Sequence, residues 1–400
     1  MNAPKDLAIL LTPVLPLPNR SGRALRAWDW LLELSRTHQV HVGVTEGFDA
    51  QDIGPNYPAA GVWPMSDGMF HPNRLLRFTG LLFPPSGLFF RGLLVDWLYP
   101  QSHAPVRALV AKLGHASVKR IVVFRFYLHD VGRAIASLCP DASLELDMDD
   151  LESATRLSVA RCLARMGRPK EALRSLMAAA QYALLERFIV KGYDAVWLAA
   201  KEDAQGLSHR GIPNPGVRPN RLACPRHSPG PVFSQGATAR FLFVGSLDYP
   251  PNQEAVLYLL NQIQPLLEQC LARPWIFRVV GRRAPKDLVR RIAASDRVEF
   301  FPDADYLAEH YARADVVLVP LLAGGGTKLK TIEAFAHRRA VISSREGVRG
   351  LAVESGVHYL HAQTAWEFAQ AIAQLLQDPA LADQVSRAGQ AHYFEHHQLA

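Results

Sequence analysis

Short apolar runs alternate with longer amphipathic stretches along most of this chain. In the second half, the apolar runs cover 241–244, 276–280, 298–300, 316–320 and 340–343. Helical patterns separate these runs, and a last helix is predicted from about residue 365. Strands that alternate with helices predict a doubly wound parallel sheet, whose ligands bind at the carboxyl ends of the strands.

The first half shows the same alternation less regularly. Its predicted strands cover 7–11, 41–45, 120–126, 144–147 and 195–198. A helical region over 151–190 is broken at 167–169 by a Gly-Arg-Pro sequence. A further helix follows the turn at 19–22, and the residues predicted for its apolar face are Leu25, Trp28, Leu31, Leu32 and Leu34.

A change of composition divides the chain. Residues 206–239 are rich in Pro, Gly and Ser and show no hydrophobic period, which is typical of a linker. The predicted organisation is an N-terminal domain over 1–205, a linker over 206–238, a C-terminal domain over 239–385 and a C-terminal helix or tail over 386–400. A length of 400 residues suits two domains of this kind.

Charge and cysteine content narrow the class of protein. The formal net charge of +7 favours anionic partners such as nucleotide diphosphates or phospholipid headgroups. No recognised nucleic-acid module is present, so nucleic acid is not an expected partner. The cysteines lack a Cys-x-x-Cys pair, which argues against a zinc site or a disulfide framework and fits a reducing cytosol; they are Cys139, Cys162, Cys224 and Cys270.

The N-terminal sequence predicts a first strand rather than a signal peptide, because it has no basic region and no small-residue cleavage site. No run of about 18 uncharged apolar residues occurs, so no membrane span is expected. The predicted location is therefore the cytoplasm.

The run at 316–320 leads into the most informative loop. Three consecutive glycines at 324–326 follow it, and a helix is predicted to begin at Thr327 and to carry Lys328, Lys330 and Glu333 in its first turns. Helix N-terminal amides attract phosphate, and glycine allows an anion to approach the backbone closely. A tight turn without a ligand is the alternative, and the loop is not a Walker sequence because no Gly-Lys-Ser/Thr is present.

Several motifs in order give the second half a specific resemblance. FLFVGSLDYPPN, FRVVGRR and VEFFPDADYLAEHYARADVVLVPLLAGGGTKLKTIEAFAHRRAVISSREGVRGL resemble the nucleotide-sugar-binding domain of family 4 glycosyltransferases, strongly over about 240–380. The first half resembles the family weakly, through LLTPVLPLPNRSG, LDMDD and AVWLAAKED. The resemblance implies an α/β fold of the GT-B type, with two Rossmann-like domains whose parallel sheets face each other across a cleft.

The resemblance also implies roles for particular residues. Glu333 matches the second Glu of the family's paired-glutamate motif, which holds the nucleotide ribose. The backbone at Gly325, Gly326 and Thr327 would meet the donor pyrophosphate, and Gly245 would line the same sheet edge. The implied donor is a UDP- or GDP-linked sugar, with no metal ion and no other cofactor, and transfer retains the anomeric configuration.

Three departures from the family pattern affect the expected chemistry. The first Glu of the pair falls at Gly325, and the usual Arg and Lys after the first C-domain strand fall at Ser246 and Pro251. The cations available as substitutes are Lys328, Lys330, Arg282 and Arg283. Lys328 is the first choice for the diphosphate, while a solvent-facing position is an equal alternative for Lys330.

Candidates in the first half come from similar reasoning. Gly22 follows Arg20 and Ser21 where the family has a loop that faces the donor phosphates. Asp147 and Asp149 are candidate acceptor-side carboxylates, and Asp149 joins Lys328 and Arg283 as the predicted catalytic residues. For Asp150 a helix N-cap is the favoured interpretation. Weaker candidates are Arg125, His129 and His227.

One further segment, 73–100, mixes Leu and Phe with arginines. Core packing is its default explanation, but this composition also suits a helix lying in a membrane interface, and basic residues over 156–174 would add attraction to anionic lipid. The sequence therefore predicts peripheral contact with the inner leaflet, at the cytoplasmic face of the plasma membrane.

The predicted function is transfer of a sugar from a nucleotide-sugar to a glycan or lipid-linked acceptor in polysaccharide or glycolipid assembly. Two alternatives remain open, a catalytically silent scaffold subunit of the same fold and a sugar-nucleotide epimerase.

Overall fold

The computed structural model describes residues 6–18, 21–65, 104–114, 117–212, 214–223, 230, 238–304 and 306–399. The chain divides into two compact units. The first unit contains residues 1–156 and 174–221, and the second contains 157–173 and 222–400. Each unit is built on one parallel sheet.

The first sheet has seven parallel strands in the order β3-β2-β1-β4-β5-β6-β7. The strands are β1 Leu7–Thr12, β2 Gln39–Val44, β3 Gly61–Pro64, β4 Val118–Phe124, β5 Ser143–Asp149, β6 Ala195–Leu198 and β7 Gly216–Val217. The helices are α1 Gly22–Thr37, α2 Ala104–Leu113, α3 His129–Leu138, α4 Glu152–Arg165, α5 Pro169–Ile189 and α6 Lys201–Ser208.

The second sheet has six parallel strands in the order β10-β9-β8-β11-β12-β13. The strands are β8 Ala239–Val244, β9 Trp275–Gly281, β10 Val298–Pro302, β11 Val316–Val319, β12 Ala340–Ser343 and β13 Leu360–His361. The helices are α7 Pro250–Tyr258, α8 Gln264–Cys270, α9 Lys286–Ala293, α10 Ala308–Ala312, α11 Leu329–Ala336, α12 Ala365–Gln377 and α13 Pro379–His396. A π-helical turn, Leu259–Ile263, joins α7 to α8.

Core packing explains why the central strands are continuous apolar runs. Side chains alternate between the two faces of a strand, so Ile9 and Leu11 of β1 join the core on one face while Ala8 and Leu10 join the core on the other. Helices cover both faces, and the exposed positions of the central strands β4 and β8, Lys119 and Arg240, lie at the start of each strand. The two parallel α/β domains confirm the predicted fold class.

Each sheet reverses its strand order at one place. The reversal lies between β1 and β4 in the first unit and between β8 and β11 in the second. Open parallel sheets bind ligands at such a switch point, outside the carboxyl ends of the strands. The loops after β8 and β11 are therefore the first place to examine for a site in the second unit.

Most of the predicted apolar face of α1 is confirmed. Leu25, Leu31 and Leu34 are buried, and Trp28, which is partly buried, packs on the core, whereas Leu32 is partly exposed. Trp30, like Arg26, is fully buried: its indole N–H donates to the buried carboxylate of Asp147, and its ring packs in the core of this face.

The described units differ from the predicted domain ranges. The first unit extends to Arg221, because β7 pairs with β6 inside the range predicted as a linker. Gly216 lies so close to Trp197 that a Cβ would stand 2.4 Å from Trp197 Cε3, so this glycine serves close packing. Residues 386–396 are helical, as one of the two predicted alternatives had it, and form the second half of α13, which packs on α11 and β12. Residues 157–173 group with the second unit.

Three of the sequence predictions lie outside the described residues, namely Arg20, His227 and the segment 73–100. Within the described parts of the chain, none of the helices combines the length and apolarity that a membrane crossing requires.

Candidate functional site

The loop between β11 and α11 carries the three glycines. Gly324 and Gly326 have φ values of +143° and +55°, which side chains other than glycine rarely adopt. The N–H of Gly324 donates to Ser158 Oγ at 2.9 Å, so α4 anchors the loop. The helix begins at Leu329 rather than at Thr327 as predicted, because Lys328 is still extended, with φ −96° and ψ 100°.

Lys328 is bound within this loop. Its ammonium donates to the carbonyls of Gly325 and Gly326, each at 2.9 Å, and pairs with Glu346 Oε1 at 3.0 Å. Only 8% of the residue is exposed. Its charge still lies beside the loop, but these three contacts give Lys328 a structural task, which is to hold the glycine turn closed.

Lys330 is turned inward instead of towards solvent. Its ammonium donates to Asn252 Oδ1 at 2.7 Å and lies 4.3 Å from the centre of the Phe243 ring. Within the described parts of the chain it forms no ion pair. Burial lowers the pKa of Lys330 to about 7, and the neighbouring charge of Lys328 adds to the effect, while Glu333 opposes it. Lys330 is therefore a partly desolvated cation, and of the two alternatives the structure favours contact with the loop after β8 over a fully solvent-facing position.

Glycines shape the space around Lys330. A Cβ on Gly245 would lie 2.9 Å from both Lys330 Nζ and Asn252 Nδ2, so the missing side chain makes room for both groups. A Cβ on Gly281 would lie 2.5 Å from the carbonyl oxygen of Gly245. The loop after β8 can approach the end of β9 because Gly281 has no side chain.

Asn252 is a site residue that the sequence analysis missed. Its amide donates to the carbonyl of Ser246 at 2.8 Å and accepts from Lys330. The next residue, Gln253, donates to the carbonyl of Leu247 at 2.8 Å. The two side-chain amides at the start of α7 thus fix the loop after β8. The sequence feature that could have identified them is a pair of polar amide residues in the first turn of a helix that follows a Gly-Ser turn.

Glu333 lies one turn further along α11. Its Oε2 accepts a hydrogen bond from the Tyr311 hydroxyl at 2.8 Å. Burial raises the pKa of Glu333, and this effect is opposed by the Tyr311 hydrogen bond and by the charges of Lys330 and Arg282. The tyrosine fixes one oxygen of the carboxylate, which leaves the other as an acceptor for a ligand hydroxyl.

Arg282 and Arg283 follow β9 and are exposed. Arg283 pairs with Asp248 Oδ2 at 2.7 Å and donates to Ser246 Oγ at 3.1 Å, from a left-handed backbone with φ +56°. It connects the loops after β8 and β9. The positive charge of Arg282 opposes the rise in the pKa of Glu333.

The first unit has its own cluster of charged groups at the carboxyl ends of β4 and β5. Asp147 is fully buried and accepts two hydrogen bonds from Arg26, at 2.7 and 2.8 Å, as well as one from Trp30. These contacts make Asp147 a structural residue that ties α1 to β5. A role for it as an exposed acceptor-side carboxylate is therefore not supported.

Asp149 differs from Asp147 in strain and in partners. It has a φ of +63°, and Arg125, which pairs with it at 2.9 Å, has a φ of +88°. Asp149 Oδ1 and Arg125 Nε are buried without a hydrogen-bond partner. Burial raises the pKa of Asp149 to about 6, against the opposing charges of Arg125 and Arg26. Strained residues with unsatisfied polar atoms are concentrated at functional sites.

The other first-unit candidates have simpler environments. Gly22 is the first residue of α1, whose N-cap Ser21 accepts from the Ala24 N–H at 3.4 Å. His129 lies 2.9 Å from the Tyr193 hydroxyl, which is a structural contact. Across the residues that the structure describes, no group of three or more His, Cys, Asp or Glu is arranged to hold a metal ion.

A family model and the fold point to a class of protein. Residues 238–378 match the family model described as Glycosyl transferases group 1, and the two parallel α/β domains match the GT-B architecture of glycosyltransferases. Together these findings support an enzyme, a glycosyltransferase. No sequence among curated proteins matches the chain.

Solved structures show the same fold over nearly the whole chain. Sucrose-phosphate synthase from Thermosynechococcus elongatus is similar with a TM-score of 0.67 and 17% identity, covering 98% of this chain and 95% of its own. Anabaena Alr3699/HepE in complex with UDP and glucose has a TM-score of 0.65 and 15% identity, and the match covers 98% of this chain and 96% of the Anabaena chain. Trehalose 6-phosphate synthase from Burkholderia multivorans has a TM-score of 0.62 and 13% identity, and the match covers 99% of this chain and 94% of the synthase chain.

Proposed function

We propose that this protein transfers a sugar from a UDP- or GDP-linked donor to a polysaccharide or lipid-linked acceptor, with retention of configuration and without a metal ion. One observation carries the proposal. The ammonium of Lys330 reaches from α11 to Gly245 and Asn252 at the switch point between β8 and β11, beside the glycine loop. Support for a UDP-linked donor comes from the similar Anabaena structure, which contains UDP and glucose.

In this proposal Lys330 supplies the charge that Ser246 and Pro251 lack. Both positions after β8 are uncharged, and the cation arrives from α11 instead. As the bond between the anomeric carbon and the diphosphate breaks, negative charge develops on the leaving oxygen. A fixed ammonium and backbone amides at that point stabilise the transition state more than the ground state.

The remaining residues then have distinct tasks. Gly325, Gly326 and Thr327 offer backbone N–H groups to the diphosphate, and Lys328 keeps this turn closed through its bonds to the loop carbonyls. Glu333, oriented by Tyr311, accepts hydrogen bonds from the ribose hydroxyls.

The acceptor side of the proposal rests on Asp149. A carboxylate with a pKa of about 6 is ionised at neutral pH and can accept a hydrogen bond from an acceptor hydroxyl. Its Oδ1 lies 3.5 Å from Arg26 Nε but accepts no hydrogen bond, so this oxygen has a lone pair left for such a contact. In the transfer, the acceptor oxygen bonds to the anomeric carbon from the face that the diphosphate leaves, the bond to the diphosphate oxygen breaks, and the proton of the acceptor hydroxyl passes to Asp149.

A catalytically silent binding subunit is the second candidate. It is favoured by Gly325, which stands where a carboxylate would hold the donor sugar. Binding alone would not separate the two functions, because both retain a nucleotide site.

The test is a calorimetric screen of UDP- and GDP-sugars, followed by analysis of the bound donor for hydrolysis or isomerisation. The proposal predicts donor binding that Lys330→Met and Glu333→Gln weaken, together with slow release of free sugar. Lys286→Met, which removes an exposed cation from α9, is the matched control and should bind as the unaltered protein does. Binding without cleavage would favour the silent subunit, conversion to an isomeric nucleotide-sugar would indicate an epimerase, and absence of binding would refute the donor site.

A further inference from the structure

Helix α5 is apolar on two opposite faces. One face packs on the core of the first unit through Ala178, Tyr182 and Leu185. Leu176, Leu184 and Phe188 lie on the other side, with 48, 47 and 65% of each residue exposed. At 100° per residue, these three positions fall within an arc of about 120° opposite the buried residues.

This concentration is unusual within the molecule. The described residues include ten large hydrophobic residues that are exposed, and four of them lie on α5, whereas most of the others are single residues on separate elements. Single exposed apolar residues need no explanation, but a contiguous row marks an interaction surface.

Cations surround the exposed row. Arg174, Arg187 and Lys191 are exposed, and none of them forms an ion pair in the described parts of the chain. At the end of the helix Arg133 donates to the carbonyl of Gly192 at 2.9 Å, which adds a fourth positive charge.

Acidic residues are absent from this face of the helix. Over 174–192 the one acidic residue is Glu186, which is fully buried on the opposite face and bound to Ser153 and Arg210. The surface formed by Leu176, Leu184 and Phe188 with the four cations, here called the α5 patch, is therefore apolar and purely basic. Beyond the end of the helix, the charge of Asp130 acts on Tyr193, and Asp194 accepts a hydrogen bond from the Leu144 N–H.

We propose that the α5 patch docks the protein on the surface of an anionic lipid bilayer. An interfacial helix combines Leu or Phe on one side with Lys and Arg beside them, so that the apolar side chains enter the acyl boundary while the cations meet the headgroups. A protein partner would need a matching apolar and acidic surface. The bilayer supplies both properties without specific fit, and the excess charge of +7 adds long-range attraction.

Docking through the α5 patch is independent of the donor site. None of its residues belongs to the loops after β8, β9 or β11, so loss of lipid binding and loss of donor binding can be observed separately. A docked enzyme would meet a lipid-linked acceptor by diffusion in two dimensions.

The experiment is co-sedimentation of the full chain with phosphatidylcholine vesicles, with and without phosphatidylglycerol, at low and at high salt. Binding to the anionic vesicles, weakened by salt, is expected. Leu184→Ser with Phe188→Ser should abolish it, and Arg174→Gln with Arg187→Gln should weaken it about fivefold for each cation removed. Matched controls are Trp366→Ser, an exposed aromatic on α12, and Arg290→Gln on α9, both of which should leave lipid binding unchanged.

Two results would overturn the proposal. One is equal sedimentation of the patch variants and the unaltered protein. The other is a concentration-dependent dimer that the double serine variant converts to monomer without any lipid binding, which would assign the patch to a second copy of the chain. Because every substituted side chain is exposed, all variants should melt at the temperature of the unaltered protein, and melting curves check this.

Discussion

Replacing Lys330 with Met should stabilise the protein and weaken donor binding at the same time. Methionine has a similar length and no charge, and its thioether can take the place beside the Phe243 ring that the lysine ammonium occupies. Lys330 is a cation held in a partly desolvated position with a neutral amide as its hydrogen-bond partner. Such a position costs stability and is retained where a function needs the charge.

The expected gain in the free energy of unfolding follows from the pKa of Lys330. Lowering the pKa of Lys330 from 10.5 to about 7 corresponds to about 5 kcal/mol. The unfolded chain binds this proton more tightly than the folded one, so the cost is complete below pH 7 and disappears as the pH rises towards 10.5. Losing the charge-assisted hydrogen bond to Asn252 offsets about 1.5–3 kcal/mol of the gain. The net gain at pH 7 is about 2 kcal/mol, or about 4–8 °C in Tm for a domain of this size.

The expected pH dependence of donor affinity follows from the same pKa. Above pH 7 the free protein holds Lys330 increasingly as the neutral amine, whereas a bound diphosphate favours the ammonium. Donor affinity should therefore fall by up to about tenfold per pH unit above pH 7, with uptake of about one proton per donor bound near pH 8. In Lys330→Met, donor binding should take up no proton, and donor affinity should no longer fall as the pH rises above 7.

The assays are thermal melting at pH 7, with and without UDP, and calorimetry in buffers that differ in ionisation enthalpy. The reasoning would be refuted if Lys330→Met lowered the Tm, or if it bound the donor with unaltered affinity and pH dependence. Lys286→Met, exposed on α9, should change neither quantity.

Three further predictions concern other residues. The transfer rate should rise through pH 6 as Asp149 ionises, and Asp149→Asn should remove this limb of the pH-rate profile without changing donor affinity. Gly281→Ala should destabilise the protein by about 2–4 kcal/mol in urea unfolding, because its Cβ would lie 2.5 Å from a backbone carbonyl, while Gly54→Ala, with open space around it, should not. Lys328→Met should cost about 1–3 kcal/mol in the same assay through loss of its bonds to the loop carbonyls and Glu346, and should raise the KM for the donor; an unchanged unfolding midpoint would contradict this role.

Much of the architecture was predictable because buried parallel strands leave a strong pattern. The run at 195–198 and the run at 340–343 coincide with β6 and β12, and both are apolar segments bounded by turn residues. Strands β7 and β13 were missed because two residues carry no period. Gly216 illustrates the difficulty, because the sequence alone does not distinguish a glycine packed against Trp197 from a glycine in a flexible linker.

The site was harder to predict than the sheet. The glycine loop and Glu333 were identified from local spacing and resemblance, but the directions of Lys328 and Lys330 were not. Two lysines two residues apart point to different sides of the chain, and which side faces the loop after β8 depends on where α11 begins. The contacts of Asn252 and Tyr311 join segments distant in sequence, so no local pattern contains them.

The most direct test of the central claim is whether the protein cleaves a nucleotide-sugar. Proton NMR of a donor that binds in the calorimetric screen would follow the released sugar and its anomeric form. We expect slow release with retention of the donor's configuration, absent in Lys330→Met and preserved in Lys286→Met. A donor that binds at the site and stays intact under all conditions, with and without glycan acceptors, would contradict the assignment as a glycosyltransferase.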